Sequence, residues 1–305
     1  MEYIPMTPTV AVLVTCFNRR EKTLSALESV FGQREVVPRR LTVILVDDAS
    51  TDGTPEAVAS RFPQVRVLTG SGSLFWNGGM RVAFAEAMRS DFDYYLWLND
   101  DTHLFPEALD VLLASAQKLE HDGRTAIMTS STCDPVERNW TYGGFRLRIS
   151  WRGVRLLPIK PLSDELQPCD TMNGNCTLIP RTIAEQVGNL DAVFQHGIGD
   201  FDYGFRTREA GFGIYAAPGY IGTCTGNSNG GTWRDGDASF SKRWHHLTSP
   251  KGLPIKEWLI YTRRHYGAFW PLYTVSPYVK TLVGFGLCTG DLKDDGSRAS
   301  KASAE

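Results

Sequence analysis

The chain has 305 residues, 42% of them hydrophobic and 22% charged, so it can bury a substantial core in one large or two small domains. Its formal net charge of -2 gives no general electrostatic reason to bind nucleic acid. The sequence has no apolar run of the roughly 18 to 20 residues that a membrane span needs and no visible secretory leader, so a cytoplasmic location is expected. Its six cysteines include no C-x-x-C pair, which argues against a zinc cluster or a disulfide framework.

Strand and helix signals alternate along the first hundred residues. Continuous β-branched and apolar runs at residues 10–17 and 41–46 predict buried strands, and apolar residues at helical spacing predict a helix at residues 20–31 between them. The same signals place further strands at 65–68 and 94–99, and further helices at 55–61, 80–88 and 106–119. This order predicts an α/β fold with a Rossmann-like, mostly parallel mixed sheet flanked by helices, and ligand binding at the carboxyl ends of the strands.

Two adjacent carboxylates, Asp100 and Asp101, follow the predicted strand at residues 94–99. Two neighbouring acids repel each other unless a cation joins them. At the carboxyl end of a buried strand, the expected ligand is a hard divalent ion that is bound to a phosphate. The alternative is that the two acids only cap the helix predicted at residues 106–119.

The glycine-rich segment at residues 70–79 helps to separate the nucleotide-binding folds. Gly70 and Gly72 are followed by Phe75 where the dinucleotide fingerprint requires its third glycine, so a dehydrogenase is disfavoured. The sequence also has no G-x-x-x-x-G-K-[ST] loop for a triphosphate. The segment is therefore interpreted as either a surface turn or a ligand loop of another kind.

Several short motifs occur in a characteristic order, at residues 15–18, 46–54, 76–79, 98–101 and 199–206. Together they resemble family-two GT-A glycosyltransferases, and in particular a bacterial rhamnosyltransferase-like branch of surface polysaccharide assembly. The resemblance extends over roughly residues 8 to 222. It implies a GT-A fold and a metal-dependent, inverting transfer from a nucleoside diphosphate sugar, dTDP-rhamnose or a UDP-sugar, to a glycan or lipid-linked acceptor.

The resemblance also assigns the metal site. Asp101 occupies the last position of a D-x-D-like motif and would bind Mg²⁺ or Mn²⁺, while Asp100 would contact the metal shell or the ribose and sugar of the donor. Asn99 stands where many relatives have the first acid of that motif. His245 or His246 would be the third protein ligand.

The nucleotide is expected at the ends of the first two strands. Donor-binding residues by this resemblance are Thr15, Phe17, Asn18, Asp47, Asp48, Trp76, Asn77, Gly78, Arg81 and Asp100. One of the adjacent pair Asp47 and Asp48 would accept the pyrimidine N3–H, although both could instead organise the following turn. Arg81 is interpreted as a diphosphate partner or a solvated surface charge.

The acceptor side begins with the acidic motif at residues 199–202. Asp200 is predicted to be the general base, kept ionised by the positive end of a helix that starts there. Asp202 is the fallback base, and the alternative role for the motif is a helix cap with an Asp202–Arg206 pair. His196 and Trp233 are candidates for contact with the acceptor or donor sugar. Direct attack assisted by one base predicts inversion at the anomeric carbon.

Residues after 220 change in character. The Gly- and Asn-rich segment at 222–237 is interpreted as a loop that closes over the donor or as a plain connection. Residues 241–280 contain seven Lys or Arg and one acid, interleaved with aromatic residues. This pattern favours either the surface of the inner leaflet of the cytoplasmic membrane, as a peripheral contact, or packing onto the catalytic domain or a second subunit.

The expected organisation is a catalytic domain at residues 1–240, divided into a nucleotide-sugar half at 8–105 and an acceptor half at 106–240. A basic, aromatic helical extension follows at 241–290, and a disordered tail at 291–305. Since the sequence has neither membrane spans nor the Q-x-x-R-W motif of processive synthases, we expect one sugar to be added per encounter. Two alternatives share the fold, namely a sugar-nucleotide nucleotidyltransferase and a non-catalytic sugar-nucleotide or glycan-binding protein.

Overall fold

The computed structural model of this protein describes residues 8–34, 40–150, 153–228 and 230–283. The predicted tail at 291–305 and the end of the predicted extension, residues 284–290, lie outside these ranges. Within them, the strands are β1 (Val10–Cys16), β2 (Leu41–Asp47), β3 (Arg66–Thr69), β4 (Tyr94–Asn99), β5 (His103–Leu104), β6 (Ala126–Cys133), β7 (Trp140–Tyr142), β8 (Gly144–Ser150), β9 (Gly153–Pro158), β10 (Gln167–Pro168), β11 (Thr171–Met172), β12 (Cys176–Pro180) and β13 (Gly213–Thr223).

The helices of the same ranges alternate with the strands in the first half and dominate after residue 240. They are α1 (Arg20–Phe31), α2 (Thr54–Arg61), α3 (Phe75–Ala87), α4 (Ala108–His121), α5 (Arg181–Val187), α6 (Gly199–Glu209), α7 (Phe240–Thr248), α8 (Ile255–His265) and α9 (Trp270–Leu282), with a single 3-10 turn, Gly267–Phe269, before α9.

The central sheet has the strand order β10-β13-β6-β12-β4-β1-β2-β3, with β5 and β7 attached at one side. Its first-half strands β3, β2, β1 and β4 are all parallel, and β12 joins them in antiparallel orientation. Cys16 pairs with Asp47 and Thr15 with Asn99, so β1, β2 and β4 end at the same level. The prediction of a mostly parallel mixed sheet is confirmed, and the polar residues after these three strands meet at one edge.

Each face of the sheet has its own apolar core. Val12 and Val14 of β1 point to one side and pack in a cluster with Leu27 of α1 and with α4 residues. The intervening Leu13 points to the other side and packs in a cluster with Phe84 of α3. Because successive side chains of a strand alternate between faces, a run that is apolar at every position requires helices on both sides.

Helix α3 begins earlier than expected, at Phe75 rather than at residue 80. Gly78 and Gly79 are therefore helical, and the interpretation of residues 70–79 as a single turn or loop is wrong beyond residue 74. A Cβ atom at Gly79 would collide with the Oγ1 of Thr15, so a glycine lets α3 approach the end of β1 closely.

Two further features differ from expectation or were not anticipated. Helix α4 begins at Ala108 with Glu107 at its N-cap, so neither Asp100 nor Asp101 caps it. A separate three-stranded antiparallel sheet, β11-β8-β9, contacts α6 through β11.

The helical extension packs directly onto the acceptor half. Tyr261 and Tyr266 of the extension form a small core with Phe194 and with Phe205 of α6. In the described part of the chain, no helix is both long enough and apolar enough to cross a membrane. The extension thus belongs to the same folded unit as α6.

Candidate active site

The acidic pair lies directly after β4, where Asp100 is buried and Asp101 is partly exposed. A single guanidinium bridges them, since Arg19 Nη1 donates to Asp100 Oδ1 at 2.8 Å and Nη2 donates to Asp101 Oδ2. Burial raises the pKa of Asp100 to about 7, against the lowering effect of Arg19 and with a smaller contribution from the charge of Asp101. The mutual repulsion of the two acids is thus relieved here by a cation from the chain itself.

The free oxygens of this pair fit a divalent ion. Asp100 Oδ2 is buried and has no hydrogen-bond partner among the described residues, and Asp101 Oδ1 accepts only a weak bond from the Cys224 thiol, at 3.6 Å. Carboxylate oxygens are the donors that Mg²⁺ and Mn²⁺ prefer. The residues present could therefore hold such an ion, with Arg19 displaced from part of its contact.

The structure does not support a third ligand from α7. Among the described residues, no group of three or more His, Cys, Asp or Glu side chains is placed to hold a metal ion. His245 is exposed, and His246 lies close enough to Lys251 and His196 for their charges to act on one another. A third metal ligand from His245 or His246 stays a prediction.

The two aspartates after β2 differ in their contacts. Asp48 accepts hydrogen bonds from the backbone amides of Gly72, Leu74 and Phe75, so it shapes the loop that leads into α3. Asp47 accepts from the amide of Ser50 at 2.9 Å and from the Cys16 thiol. Both carboxylates are buried and accept hydrogen bonds from loop amides, and recognition of the base by one of them stays a prediction.

The residues after β1 form the opposite wall of this corner. Asn18 has a positive φ of 51° and ties the two loops together, because its side-chain oxygen accepts from the amide of Thr51 at 2.7 Å. Thr15 is buried against Gly79. Phe17 is 49% exposed, which leaves its ring as an accessible flat surface beside the ends of β1 and β2.

Trp76, in the first turn of α3, connects the acidic pair with the acceptor motif. Its indole Nε1 donates to the Oδ1 of Asn99 at 2.7 Å, one residue before Asp100. On its other side, the ring packs so closely against Gly174 that a Cβ atom there would collide with it. Gly174 also lies beside the Cβ of Asp200.

Asn77 and Gly78 make structural contacts with the segment before α6. Asn77 is fully buried, and its amide group donates to the carbonyls of Asp191 and Phe194. The backbone amides of Asn77 and Gly78 both donate to the carbonyl of Gln195. These contacts fix the segment before α6 to the start of α3, and the predicted donor contact of these two residues stays a prediction.

Asp200 is the second residue of α6 and is partly buried. Its carboxylate accepts from the amide of Gly174 and from that of Phe201, both at 2.9 Å. Burial nevertheless outweighs these hydrogen bonds and raises the pKa of Asp200 to about 6. A pKa of about 6 suits a general base that works near neutral pH, and this role of Asp200 stays a prediction.

Asp202 lies in a different environment from Asp200. It is fully buried and bonded to Arg206 Nε at 2.8 Å, Arg264 Nη1 at 3.0 Å and His265 Nε2 at 2.9 Å. Burial alone would raise the pKa of Asp202, but the bonds from His265 and Arg206 hold it below its usual range. Asp202 thus anchors α8 to α6, which disfavours it as the fallback base.

We expect Asp202→Asn to destabilise the fold by about 2–4 kcal/mol, because it leaves Arg206 without a counter-charge and Arg264 with Asp191 alone. The value is below that of a fully buried pair since both arginines keep some exposure. Urea unfolding followed by circular dichroism measures it. The control is Glu209→Gln, an exposed acid that meets the same His265 at 3.6 Å and should change stability by less than about 0.5 kcal/mol. Equal stability of the Asp202→Asn variant and the wild type would contradict this role.

The remaining predicted site residues are dispersed around this centre. Burial, with the charges of Lys251 and His246, lowers the pKa of His196 to about 4, and its Nδ1 accepts from the amide of Trp76 at 3.4 Å. Arg81 is on the second turn of α3, and its carbonyl accepts from Asn189. Trp233 lies in the irregular segment after β13, under the guanidinium of Arg234.

Sequence reasoning missed Arg19, which is the residue that contacts both acids. The available signal was its position, three residues after β1, at the same edge of the sheet as Asp100 and Asp101. Cys224 was also missed, as it follows β13, a strand far from the acidic pair in sequence.

This mixed sheet, with an acidic pair at the end of β4 and a carboxylate on the facing helix α6, defines a GT-A glycosyltransferase. The sequence profile of Glycosyl transferase family 2 matches residues 11–187. The chain belongs to that family, and it is a glycosyltransferase.

Relatives of this chain in sequence include glycosyltransferases. An N-acetylglucosaminyl-diphospho-decaprenol L-rhamnosyltransferase of Mycobacterium tuberculosis is 27% identical over an alignment of 230 residues, and the match covers 67% of this chain and 71% of that protein. The enzyme of that name from a second strain of the species matches equally well.

Solved structures with the same fold are more distant in sequence. Mannosyltransferase PcManGT from Pyrobaculum calidifontis, in complex with GDP-Man and Mn²⁺, has a TM-score of 0.57 at 16% identity and covers 94% of this chain and 76% of that one. GalNAc-T7 with UDP, GalNAc and Mn²⁺ has a TM-score of 0.56 at 16% identity, over 70% of this chain and 42% of that one. S. aureus TarS 1-349 has a TM-score of 0.54 at 10% identity, and the match covers 90% of this chain and 80% of that one. Two of these neighbours thus carry Mn²⁺ with a nucleotide or nucleotide sugar.

Proposed function

We propose that this protein transfers one sugar per encounter, with inversion, from a nucleoside diphosphate sugar to a hydroxyl of a glycan or lipid-linked acceptor in bacterial surface polysaccharide synthesis. The observation that carries the proposal is the position of Trp76, which joins Asn99, next to the acidic pair, to the segment against Asp200. The Trp76 ring thus separates two groups that the reaction needs. The acidic pair on one side would neutralise the leaving diphosphate, and Asp200 on the other would act as base for the incoming hydroxyl.

On the donor side, Asp101 and Asp100 would hold Mg²⁺ or Mn²⁺. When bound, this ion would offset the negative charge that develops on the departing diphosphate. Arg19, already at the pair, would add a second positive charge at the same place. Phe17 offers its exposed ring to the base, and Asp47 and Asp48 close the corner in which a uracil or thymine would be read.

On the acceptor side, Asp200 would take the proton from the acceptor hydroxyl as that oxygen attacks the anomeric carbon. The new glycosidic bond forms while the bond between the anomeric carbon and the diphosphate oxygen breaks. Double displacement would need a second carboxylate as nucleophile, and Asp202, the nearest on α6, is enclosed by Arg206, Arg264 and His265. A single displacement, and hence inversion, is the favoured outcome.

The substrate proposal rests on the mycobacterial relative, whose name specifies rhamnose and a diphospho-decaprenol acceptor. We propose dTDP-rhamnose, or else a UDP-sugar, as donor and a lipid-linked glycan as acceptor, with the protein in the cytoplasm or peripheral on the inner leaflet. A thermal-shift screen of dTDP-, UDP- and GDP-sugars, with and without Mn²⁺, tests the donor, because a ligand specific for the folded state raises the melting temperature. A metal-independent response limited to GDP-sugars would contradict the proposal.

Arg19→Gln should strengthen the binding of Mn²⁺ alone, by about tenfold, because it removes the guanidinium that competes for Asp100 Oδ1 and Asp101 Oδ2. Titration of free Mn²⁺ by electron paramagnetic resonance, without any donor, measures this affinity. Arg20→Gln is the matched control, since Arg20 is exposed and pairs with Glu21. Weaker binding of Mn²⁺ to the Arg19 variant would show that Arg19 does not compete with the ion.

A further inference from the structure

Exposed apolar side chains are concentrated in the helical extension. Nine of the thirteen large hydrophobic residues that the described ranges leave exposed lie between Phe240 and Val283. The other four are spread over the rest of the surface, and single exposed apolar residues of that kind are ordinary. A concentration of this size on one structural unit indicates an interaction surface.

Helix α9 buries small side chains and exposes large apolar ones, the opposite of a usual surface helix. It buries the small residues Thr274, Pro277 and Thr281 against its neighbours. Its exposed side carries four aliphatic residues at helical spacing, which we call the apolar stripe, namely Leu272, Val275, Val279 and Leu282. The stripe runs from Leu272 to Leu282, a length of about 15 Å along the helix axis. Such a face is too short to cross a bilayer and long enough to lie in its interface.

Unpaired cations lie on the same helical extension as the stripe. Among the described residues, five Lys or Arg of the extension form no ion pair within 4.0 Å, namely Lys242, Lys251, Lys256, Arg263 and Lys280. The acid among residues 241–283, Glu257, is buried, with 6% of its surface exposed. Arg243 and Arg264 point inward, toward the Trp233 carbonyl and Asp202. The accessible charge of this surface is therefore positive.

We infer that the apolar stripe and its cations form a docking surface for an anionic lipid bilayer, on which α9 lies parallel to the membrane plane. A second copy of this chain fits less well, because a symmetric contact would bring the same cations together. Residues 284–305 of the chain also fit less well as a cover, since their sequence contains seven charged residues but only three large apolar ones, Phe285, Leu287 and Leu292.

This surface is connected to the site of transfer. Tyr278 of α9 donates to the carbonyl of Leu253 just before α8, and α8 is bonded to α6 through Arg264, His265 and Asp202. Docking would hold the helix that carries Asp200 at a constant distance from the lipid headgroups. The inference goes beyond the proposed transfer reaction and does not depend on it, because vesicle binding requires neither donor nor catalysis.

The test is flotation of the full-length protein with vesicles, without donor or metal. We expect binding to vesicles of phosphatidylcholine mixed with phosphatidylglycerol, and binding at least about tenfold weaker to phosphatidylcholine alone. The double variant Leu272→Ser/Val279→Ser should lower the partition coefficient on anionic vesicles by about tenfold or more. Lys256→Gln/Lys280→Gln should lower it by about fivefold for each charge removed and weaken its dependence on salt.

The matched control is Val136→Ser/Leu162→Ser, which removes two exposed aliphatic residues outside the extension and should leave vesicle binding unchanged. The melting temperature of each variant is measured to check that its fold is retained. Binding unaffected by the stripe variant would overturn the inference. So would a vesicle-independent dimer that the stripe variant dissociates, or vesicle binding that arises only when residues 284–305 are deleted.

Discussion

Asp200→Asn should lower kcat by about 10²- to 10⁴-fold while the affinity for the donor stays within about twofold of wild type. An amide cannot take the proton from the acceptor hydroxyl, whereas the donor is held on the other side of Trp76, by residues that the substitution leaves intact. Single-turnover transfer from a radiolabelled donor measures the chemical step, and calorimetry measures donor binding. Turnover like that of the wild type would remove Asp200 from the reaction.

The pH dependence provides a second readout of the same residue. A general base acts only when ionised, and burial raises the pKa of Asp200 to about 6. We therefore expect kcat/KM to be low in acid and to rise tenfold per pH unit until it levels off above about pH 6. A profile that is flat between about pH 5 and about pH 7 would exclude this carboxyl as the base.

The same shift has a consequence for stability that requires no substrate. The pKa of Asp200 is raised in the folded state above its ordinary value of 3.8, so its contribution to stability is full below that value and is lost as the pH rises through about 6. The amide that replaces this carboxyl in the Asp200→Asn variant does not titrate. The melting temperature of the variant relative to wild type should therefore increase between about pH 4 and about pH 8. The Asp202→Asn variant should show no such gain, because the folded state lowers the pKa of Asp202.

The first half of the fold could be predicted from sequence because β1, β2 and β4 are continuous, largely buried apolar runs. Runs such as residues 10–16 are apolar at every position but one, and the helix at Arg20–Phe31 has the predicted bounds. The start of α3 was missed because Gly78 and Gly79 disfavour a helix locally, whereas close packing of Gly79 against Thr15 decides the outcome. Strand β8 was not predicted, although Leu147 and Ile149 alternate with arginines in the pattern of a strand.

The site was predictable only as far as its residues follow strand ends. Asp100 and Asp101 could be found because they come directly after a buried strand. The difference between Asp200 and Asp202 could not, since it depends on Arg264 and His265, which come from a helix some sixty residues further along the chain. The burial of Asn77 likewise depends on carbonyls of a distant segment. Long-range contacts of this kind leave no local pattern in the sequence.

Asp101→Asn should weaken donor binding in the presence of Mn²⁺ by about 10²-fold or more, because a divalent ion that joins the pair to the diphosphate supplies several kcal/mol. An amide retains an oxygen but loses the negative charge that attracts the ion. Calorimetry with the donor, with Mn²⁺ and with chelator, separates the two contributions. In chelator, the variant and the wild type should bind the donor with similar weak affinity.

The matched control for this prediction is Asp91→Asn, an exposed acid whose partner is the surface residue Arg181. It should leave the metal-dependent affinity unchanged, which separates a general change in charge from loss of a ligand. Asp101 also pairs with Arg19, so the Arg19→Gln/Asp101→Asn double variant discriminates further. If Asp101 binds the ion, the double variant stays as weak as Asp101→Asn. If Asp101 only holds Arg19 in place, Asp101→Asn alone retains its Mn²⁺ dependence and the metal role is excluded.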